Sequence, residues 1–263
     1  MNRLFTFMLA LLPVSQLMSK AAAHDTWVEV NSPYVRSGDP VFVNLCLGNH
    51  GNSARDYRLA SRLAKLDGVQ LVATYTDGES LSLVGSLKSF GSAEKEGYWT
   101  AVFHPQKDGQ YVVEQKLDIL HGPARAVHGG RAFFSVGDQS QLATDWKLPN
   151  AQIEMPLQLT PITSPYDWKV GSEVEFKVFF QGKPLPDARV SFLPLGVELG
   201  SEFDDKYERT TDANGTVRFA APNANRYLVV TKLKRPEDKG DGYDATYYTA
   251  TCTLVASQMK RGN

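Results

Sequence analysis

The fold is decided by the stretch Glu173-Val174-Glu175-Phe176-Lys177-Val178-Phe179, in which polar and apolar residues alternate from Glu173 to Val178. Successive side chains of a β-strand point to opposite faces, so this alternation predicts a strand with one buried face. Residues 181–186 follow with two prolines and a glycine, which is typical of a turn, and the alternation resumes over residues 188–192. The three segments together predict two strands joined by a turn.

Strand-like segments of the same kind occur along most of the chain. They lie at residues 41–47, 98–103, 111–114, 131–137, 217–219, 226–230 and 247–255. Only residues 57–66 have helical spacing, with leucines at 59, 63 and 66. We therefore predict an all-β protein with two tandem β-sandwich, immunoglobulin-like domains, at residues 24–140 and 153–263, joined by a linker at 141–152.

The first 23 residues have the features of a secretory signal peptide: Arg3, an apolar segment at 4–12, and the small residues Ala21-Ala22-Ala23. Cleavage after Ala23 predicts a periplasmic protein that starts at His24. It removes Arg3 and Lys20, so the formal net charge changes from −1 to −3, which argues against a nucleic-acid partner. No later segment is apolar enough to span a bilayer, so we expect a soluble protein without membrane insertion after cleavage.

His24 at the mature N-terminus would carry a free α-amine beside its imidazole, and the two nitrogens together can chelate a transition metal. The alternative is a histidine left there by chance. All five histidines precede the predicted linker, and imidazole is a common ligand of zinc, copper, nickel and cobalt. The distribution therefore predicts a metal site in the first domain.

His50 is the best second ligand, because the glycines at 48 and 51 let the chain turn and free the ring. The alternative is a polar loop residue. His121 and His128 lie in a Gly/Ala-rich segment, predicted as a loop that could fold over an ion, and solvated histidines are the alternative. His104 is expected at the surface. The predicted metal ligands are thus His24, His50, His121 and His128.

The remaining motifs favour structural roles. Cys46 and Cys252 could form a disulfide in an oxidising compartment or remain two buried thiols. Residues 212–215 are predicted to form a hairpin turn rather than a calcium loop, and the acidic run at 202–208 a solvated loop. No common catalytic motif occurs, so we expect no enzyme. A copper monooxygenase would need a flat aromatic face, for which Trp27, Tyr34 and Trp99 are too few.

The chain resembles the periplasmic components associated with ABC-type cobalt/nickel transport, long catalogued as a domain of unknown function. The resemblance rests on Ala23-His24-Asp25-Thr26-Trp27, with residues 36–41, 107–111 and 131–137. The second domain is similar to carboxypeptidase-regulatory-like and transthyretin-like sandwiches at residues 182–190, 211–215 and 247–251. The chain departs from the family at residues 51–53, where an aromatic residue is common. The resemblance implies metal handling and a membrane transport component as partner.

The sequence is therefore compatible with three functions. The leading expectation is a periplasmic protein that captures a divalent transition metal, cobalt or nickel, for an uptake system. Copper binding or copper resistance is the nearest alternative, because nitrogen ligands prefer copper in free competition. The third is a metal-free envelope module for adhesion or scaffolding.

Overall fold

The structure is a computed structural model that describes residues 25–48, 66, 68–93, 96–138, 146, 148, 152–166, 168–197, 199–200 and 202–258. Regular structure in these ranges consists of β-strands and one 3₁₀ turn, Val84–Ser86, which confirms the predicted all-β class. The predicted helix at 57–66 lies outside the described residues except for Leu66. Within the described part, no helix is long and apolar enough to cross a membrane.

The described strands number 17 and form three sheets. In chain order they are β1 (Asp25–Val30), β2 (Tyr34–Val35), β3 (Val41–Gly48), β4 (Val69–Tyr75), β5 (Ser80–Ser82), β6 (Lys88–Ala93), β7 (Glu96–Phe103), β8 (Gly109–His121), β9 (Ala124–Val136), β10 (Leu157–Pro161), β11 (Glu173–Phe180), β12 (Lys183–Pro184), β13 (Arg189–Pro194), β14 (Glu208–Thr210), β15 (Thr216–Ala220), β16 (Asn225–Arg235) and β17 (Ala245–Ala256).

The front sheet contains β1, β3, β7 and β6 in that order, and all its neighbours are antiparallel. Alternation fixes the orientation of β3, because Val43 and Leu45 are buried whereas Phe42 is exposed. Asp25 at the start of β1 pairs with Gly48 at the end of β3. β1 is therefore an edge strand of this sheet.

The central sheet has the order β14-β13-β16-β17-β9-β8-β4-β5, and β2 also pairs with β9. β9 and β17 pair in parallel, from Ala124 opposite Ala245 to Ala132 opposite Thr253. Because β9 precedes the predicted linker and β17 follows it, a single sheet contains strands from both sides of the linker. Whether residues 24–140 and 153–263 fold independently stays a prediction.

The rear sheet is built on β11, which pairs with β10 along one edge and with β12 and β15 along the other. Val174, Phe176 and Val178 are buried, as the alternation in this segment predicts. The predicted strand at 188–192 is also present, as β13, but it belongs to the central sheet.

The central sheet is covered on both faces. Tyr111 and Val113 of β8 belong to the core under the front sheet, whereas Val112 between them belongs to the core under the rear sheet. We call these two clusters the front core and the rear core. The hairpin of β8 and β9 is thus covered on both faces at these residues, whereas its tip around His121 is exposed.

β1 lies with its main chain against β17. The Thr251 hydroxyl donates to the carbonyl oxygen of Thr26 at 3.1 Å, and the Thr253 hydroxyl donates to that of Val28 at 2.7 Å. These hydroxyls satisfy edge-strand carbonyls that have no strand partner on that side. The start of β1 is therefore fixed over the junction of β9 and β17.

Candidate functional site

Two of the predicted metal ligands, His24 and His50, lie outside the described residues. Their chain neighbours are described. Asp25 follows His24 directly and pairs with Gly48, which precedes His50 by two positions. The described residues nearest to the two histidines in sequence, Asp25 and Gly48, therefore lie at the same end of the front sheet.

His121 and His128 are not in a loop, which corrects the sequence prediction. His121 ends β8, His128 lies within β9, and only Gly122 and Pro123 separate the two strands. The glycines after His128 serve close packing: a Cβ atom at Gly129 would lie 2.7 Å from Met155 Sδ, and one at Gly130 would lie 2.6 Å from Thr251 Oγ1. The segment contains glycine because neighbouring atoms approach closely, not because it is flexible.

The hairpin also separates the two histidines. His128 is paired with Leu117, whereas His121 is paired with Ala124 at the exposed end of the hairpin. Four residues of strand span about 13 Å. His104 is exposed, as predicted. Among the described residues, no three histidine, cysteine, aspartate or glutamate side chains are grouped to hold a metal ion.

His128 is the histidine with an unusual environment. It is only 7 % exposed, and its Nδ1 atom has no hydrogen-bond partner in the described structure. Burial, and secondly the charge of Lys232, lower the pKa of His128 from 6.5 to about 4. The ring is therefore neutral at neutral pH and keeps a lone pair available, which is the form that binds metals.

A cross-strand row connects His128 to the start of β1. His128 lies beside Thr249 of β17, and Thr249 lies beside Lys232 of β16. Residues directly opposite each other in a sheet share a face, so these side chains point toward β1. Lys232 Nζ lies 2.8 Å from Asp25 Oδ1. The first described residue of β1 is thus tied to the row that contains His128.

Two more buried polar atoms border the interior between this face and the front sheet. Thr26 Oγ1 and Gln115 Oε1 have no hydrogen-bond partner among the described residues, and both side chains are fully buried. Each such atom typically costs about 1–3 kcal/mol of stability. We call Thr26, Gln115 and His128 the inner polar cluster; its members come from β1, β8 and β9.

Gln115 was not anticipated from the sequence, although a signal exists. Tyr111, Val113 and Leu117 share the face of β8 that enters the front core, and Gln115 interrupts this apolar series. A polar residue on an otherwise apolar face is an informative exception. Thr26 and Lys232 carry no comparable signal, because their importance depends on pairing between distant strands.

The two cysteines are both free and both buried, so the disulfide that the sequence left open is not formed. Cys46 packs in a small cluster with Trp27, Leu193, Leu228 and Val230, whereas Cys252 belongs to the rear core. Burial raises the pKa of both thiols. Protonated, enclosed thiols are poor metal ligands and poor nucleophiles.

Two carboxylates after the predicted linker, Glu208 and Asp212, have structural partners. Glu208 is buried and forms an ion pair with Arg189 and a hydrogen bond with Ser191, which corrects the prediction of a fully solvated acidic loop. Asp212 accepts backbone hydrogen bonds from Asn214 and Thr216, which lower its pKa. This turn joins β14 to β15, which belong to different sheets, so it is not the predicted hairpin.

Solved structures with similar folds are distant. A DUF4785 family protein from Legionella pneumophila is 12 % identical with a TM-score of 0.29, and the match covers 78 % of this chain and 50 % of that protein. The D0-D1 domain of Intimin is 12 % identical with a TM-score of 0.23, covering 88 % of this chain and 97 % of that one. The ectodomain of mouse nectin-like molecule 4 is 12 % identical with a TM-score of 0.22, covering 91 % and 66 %. At TM-scores this low, the likenesses say nothing about function.

No curated protein matches the chain. One family model does, and it covers residues 21–235. The match includes the start of β1 and every member of the inner polar cluster. The chain belongs to the family described as Domain of unknown function (DUF4198).

Proposed function

We propose that this protein binds a divalent transition-metal ion at the start of β1, with His128 as a buried nitrogen ligand. Nickel or cobalt is the favoured ion, and copper is the alternative. The observation that carries the proposal is the Nδ1 atom of His128, which is buried without a hydrogen-bond partner among the described residues. An imidazole kept neutral in this way is ready to bind a metal without first losing a proton.

The second ligand in this proposal is His24, through its α-amine and imidazole after removal of residues 1–23. The described neighbour of His24 supports this choice, because Asp25 is ion-paired with Lys232 in the same cross-strand row as His128. His50 is a further candidate, since Gly48 pairs with Asp25. His121 is left out of the ligand set, because the hairpin register places it about 13 Å from His128 along the strands.

The same proposal makes the protein a carrier rather than an enzyme. It would hold the ion in the periplasm and transfer it to a membrane transport component, a role supported by the resemblance in residues 23–27 and 36–41. The neutral nitrogen ligands suit this role, because they bind nickel, cobalt and copper without redox chemistry of their own.

The test is a competition titration of Ni²⁺, Co²⁺ and Cu²⁺ against a chromophoric chelator, with exported protein whose N-terminus is established by mass spectrometry. His128→Phe keeps a buried ring but removes the nitrogen ligands, and should weaken binding by about 100-fold. His121→Phe is the matched control on the same hairpin and should leave the affinity unchanged.

Equal affinity in wild type and His128→Phe would overturn the proposal, as would a wild-type protein that starts at His24 and binds none of the three ions. The second result would favour the metal-free scaffold. A preference for copper that persists in periplasmic extracts would select copper over nickel and cobalt.

A further inference from the structure

The inner polar cluster contains more potential ligands than His128 alone. Thr26 alternates with Val28 and Val30 on β1, and Gln115 lies between Val113 and Leu117 on β8. These flanking residues all belong to the front core, so the two polar side chains point into the same interior as His128. Three strands thus direct an amide, a hydroxyl and an imidazole into one region.

The Gln115 amide is positioned there by two features of its surroundings. Gln115 is paired with Gly130, and a Cβ atom at Gly130 would lie 2.9 Å from Gln115 Nε2, so the amide occupies the space that the glycine leaves. Gln115 Nε2 donates to the carbonyl oxygen of Thr26 at 3.3 Å. With its nitrogen held in this way, the amide oxygen is buried and has no hydrogen-bond partner in the part of the chain that the structure describes.

Burial of several polar atoms without hydrogen bonds is unfavourable unless a ligand completes them. Building on the proposed function, we infer that Gln115 Oε1 and Thr26 Oγ1 are further ligands of the ion that His128 binds. Gln115 is then the specificity-determining residue of the site.

The chemistry of these donors defines the class of ion. Amide and hydroxyl oxygens are hard ligands, and together with imidazole they suit Co²⁺ and Ni²⁺, whereas Cu⁺ prefers thiolate and thioether sulfur. The nearby thioether of Met155 packs at Gly129, and consecutive strand residues point to opposite faces, so Met155 lies across the sheet from His128. The site therefore selects divalent ions over Cu⁺.

The experiment compares Gln115→Leu and Thr26→Val with Thr74→Val in the full-length exported protein. Thr74 is a matched control, because it is also fully buried with an unpartnered hydroxyl but lies on β4. We expect Gln115→Leu to weaken Ni²⁺ and Co²⁺ binding about tenfold while leaving Cu⁺ binding unchanged. The visible absorption of bound Co²⁺ should intensify as the ion loses an oxygen ligand, and Thr74→Val should match wild type throughout.

Gln115→Glu keeps an oxygen at the same place and adds a negative charge, so it should bind Ni²⁺ and Co²⁺ more tightly than wild type. It serves as the test if Gln115→Leu does not fold, as judged by the circular dichroism of the metal-free protein. If the Gln115 variants match Thr74→Val in affinity and in Co²⁺ spectrum while His128→Phe still weakens binding about 100-fold, this inference is overturned and the proposed function stands. Absence of any binding by wild type would instead overturn the proposed function.

Discussion

The two faces of the β8–β9 hairpin differ at neighbouring buried residues, Glu114 and Arg131 on the rear face and Gln115 on the front face. On the rear face, Glu114 and Arg131 form an ion pair with a distance of 3.0 Å between Nε and Oε1, and their side chains are 1 % and 4 % exposed. Glu114 Oε2 accepts from the Gln152 backbone at 2.8 Å, and Arg131 Nη1 donates to Thr160 at 3.3 Å. On the front face, Gln115 is fully buried, and its carbonyl oxygen has no hydrogen-bond partner among the described residues.

These residues are immediate neighbours, since Glu114 precedes Gln115 and Arg131 follows Gly130. The difference therefore lies in the partners that each face offers, not in the local backbone. At these two residues the rear face completes its charges with the Gln152 backbone, at the end of the predicted linker, and with Thr160 beyond it, and so connects β8 and β9 to the second half of the chain. The front face leaves donors and acceptors open, which is the arrangement expected of a binding site.

The largest expected effect follows from breaking the ion pair on the rear face. Arg131→Met leaves the Glu114 carboxylate buried without its counter-charge, which typically destabilises a protein by about 3–5 kcal/mol. Urea unfolding of the metal-free protein measures this change. Arg218→Met, which breaks the exposed pair with Glu175, is the control and should destabilise the protein much less, because solvent screens an exposed ion pair.

Equal losses in the two arginine variants would contradict the comparison. The buried ion pair of the rear face would then contribute no more to the stability of the fold than the exposed pair that Arg218 forms on β15.

The second prediction concerns His128 and pH. Because its pKa in the folded protein is about 4, below the ordinary 6.5, the unfolded chain binds more protons between these values. The stability associated with the neutral ring is fully present above pH 6.5 and decreases as the pH falls toward 4. Between pH 7 and pH 4.5 this loss is about 2–3 kcal/mol.

Other groups also titrate in this range, so the measurement is a difference between variants. His128→Phe should lose less stability than wild type by about 2–3 kcal/mol on going from pH 7 to pH 4.5. His121→Phe should behave as wild type, because His121 is exposed. A wild-type pH profile in His128→Phe would mean that the ring is solvated and the front face is not a closed polar site.

Much of the fold could be predicted from the sequence, because alternation in segments such as β11 reports directly which face is buried. The sequence does not predict that the two halves of the chain share one sheet. The parallel pairing of β9 with β17 joins residues more than 100 positions apart. Strand alternation specifies faces but not partners.

The candidate site was only partly predictable for the same reason. His128 was identified by residue type and by its place among the histidines. Its strand context was missed, because Gly129 and Gly130 resemble a flexible loop in sequence although they mark close packing in the structure. Gln115 and Thr26 join the site through register, which a single sequence does not specify.

The third prediction tests whether close packing at Gly130 supports the front face. Gly130→Ala introduces a Cβ atom 2.6 Å from Thr251 Oγ1 and 2.9 Å from Gln115 Nε2, and should destabilise the protein by about 1–3 kcal/mol. Gly85→Ala is the control, because a Cβ atom there meets nothing within 4 Å. Thermal unfolding of both variants measures this difference. Equal melting temperatures would show that the amide of Gln115 can shift to make room for the added Cβ atom.

The smallest expected effect comes from removing the unpartnered hydroxyls themselves. Thr26→Val and Thr74→Val each replace a buried hydroxyl that has no hydrogen-bond partner in the described structure with a methyl group of similar size. A lost polar group without a partner relieves a desolvation cost, so both variants should be more stable than wild type in the metal-free state, by up to about 1 kcal/mol. Urea unfolding with a chelator present measures this.

The effect of Ni²⁺ on stability then distinguishes the Thr26 variant from the Thr74 variant. If Thr26 is a ligand, saturating Ni²⁺ should stabilise wild type and Thr74→Val by the same amount and Thr26→Val by less, because a ligand stabilises the folded state in proportion to the logarithm of its affinity. Destabilisation of the metal-free protein by Thr26→Val would mean that its hydroxyl already has a partner, and the front face would then be as complete as the rear one. Stabilisation of all three proteins alike by Ni²⁺ would place the ion away from Thr26.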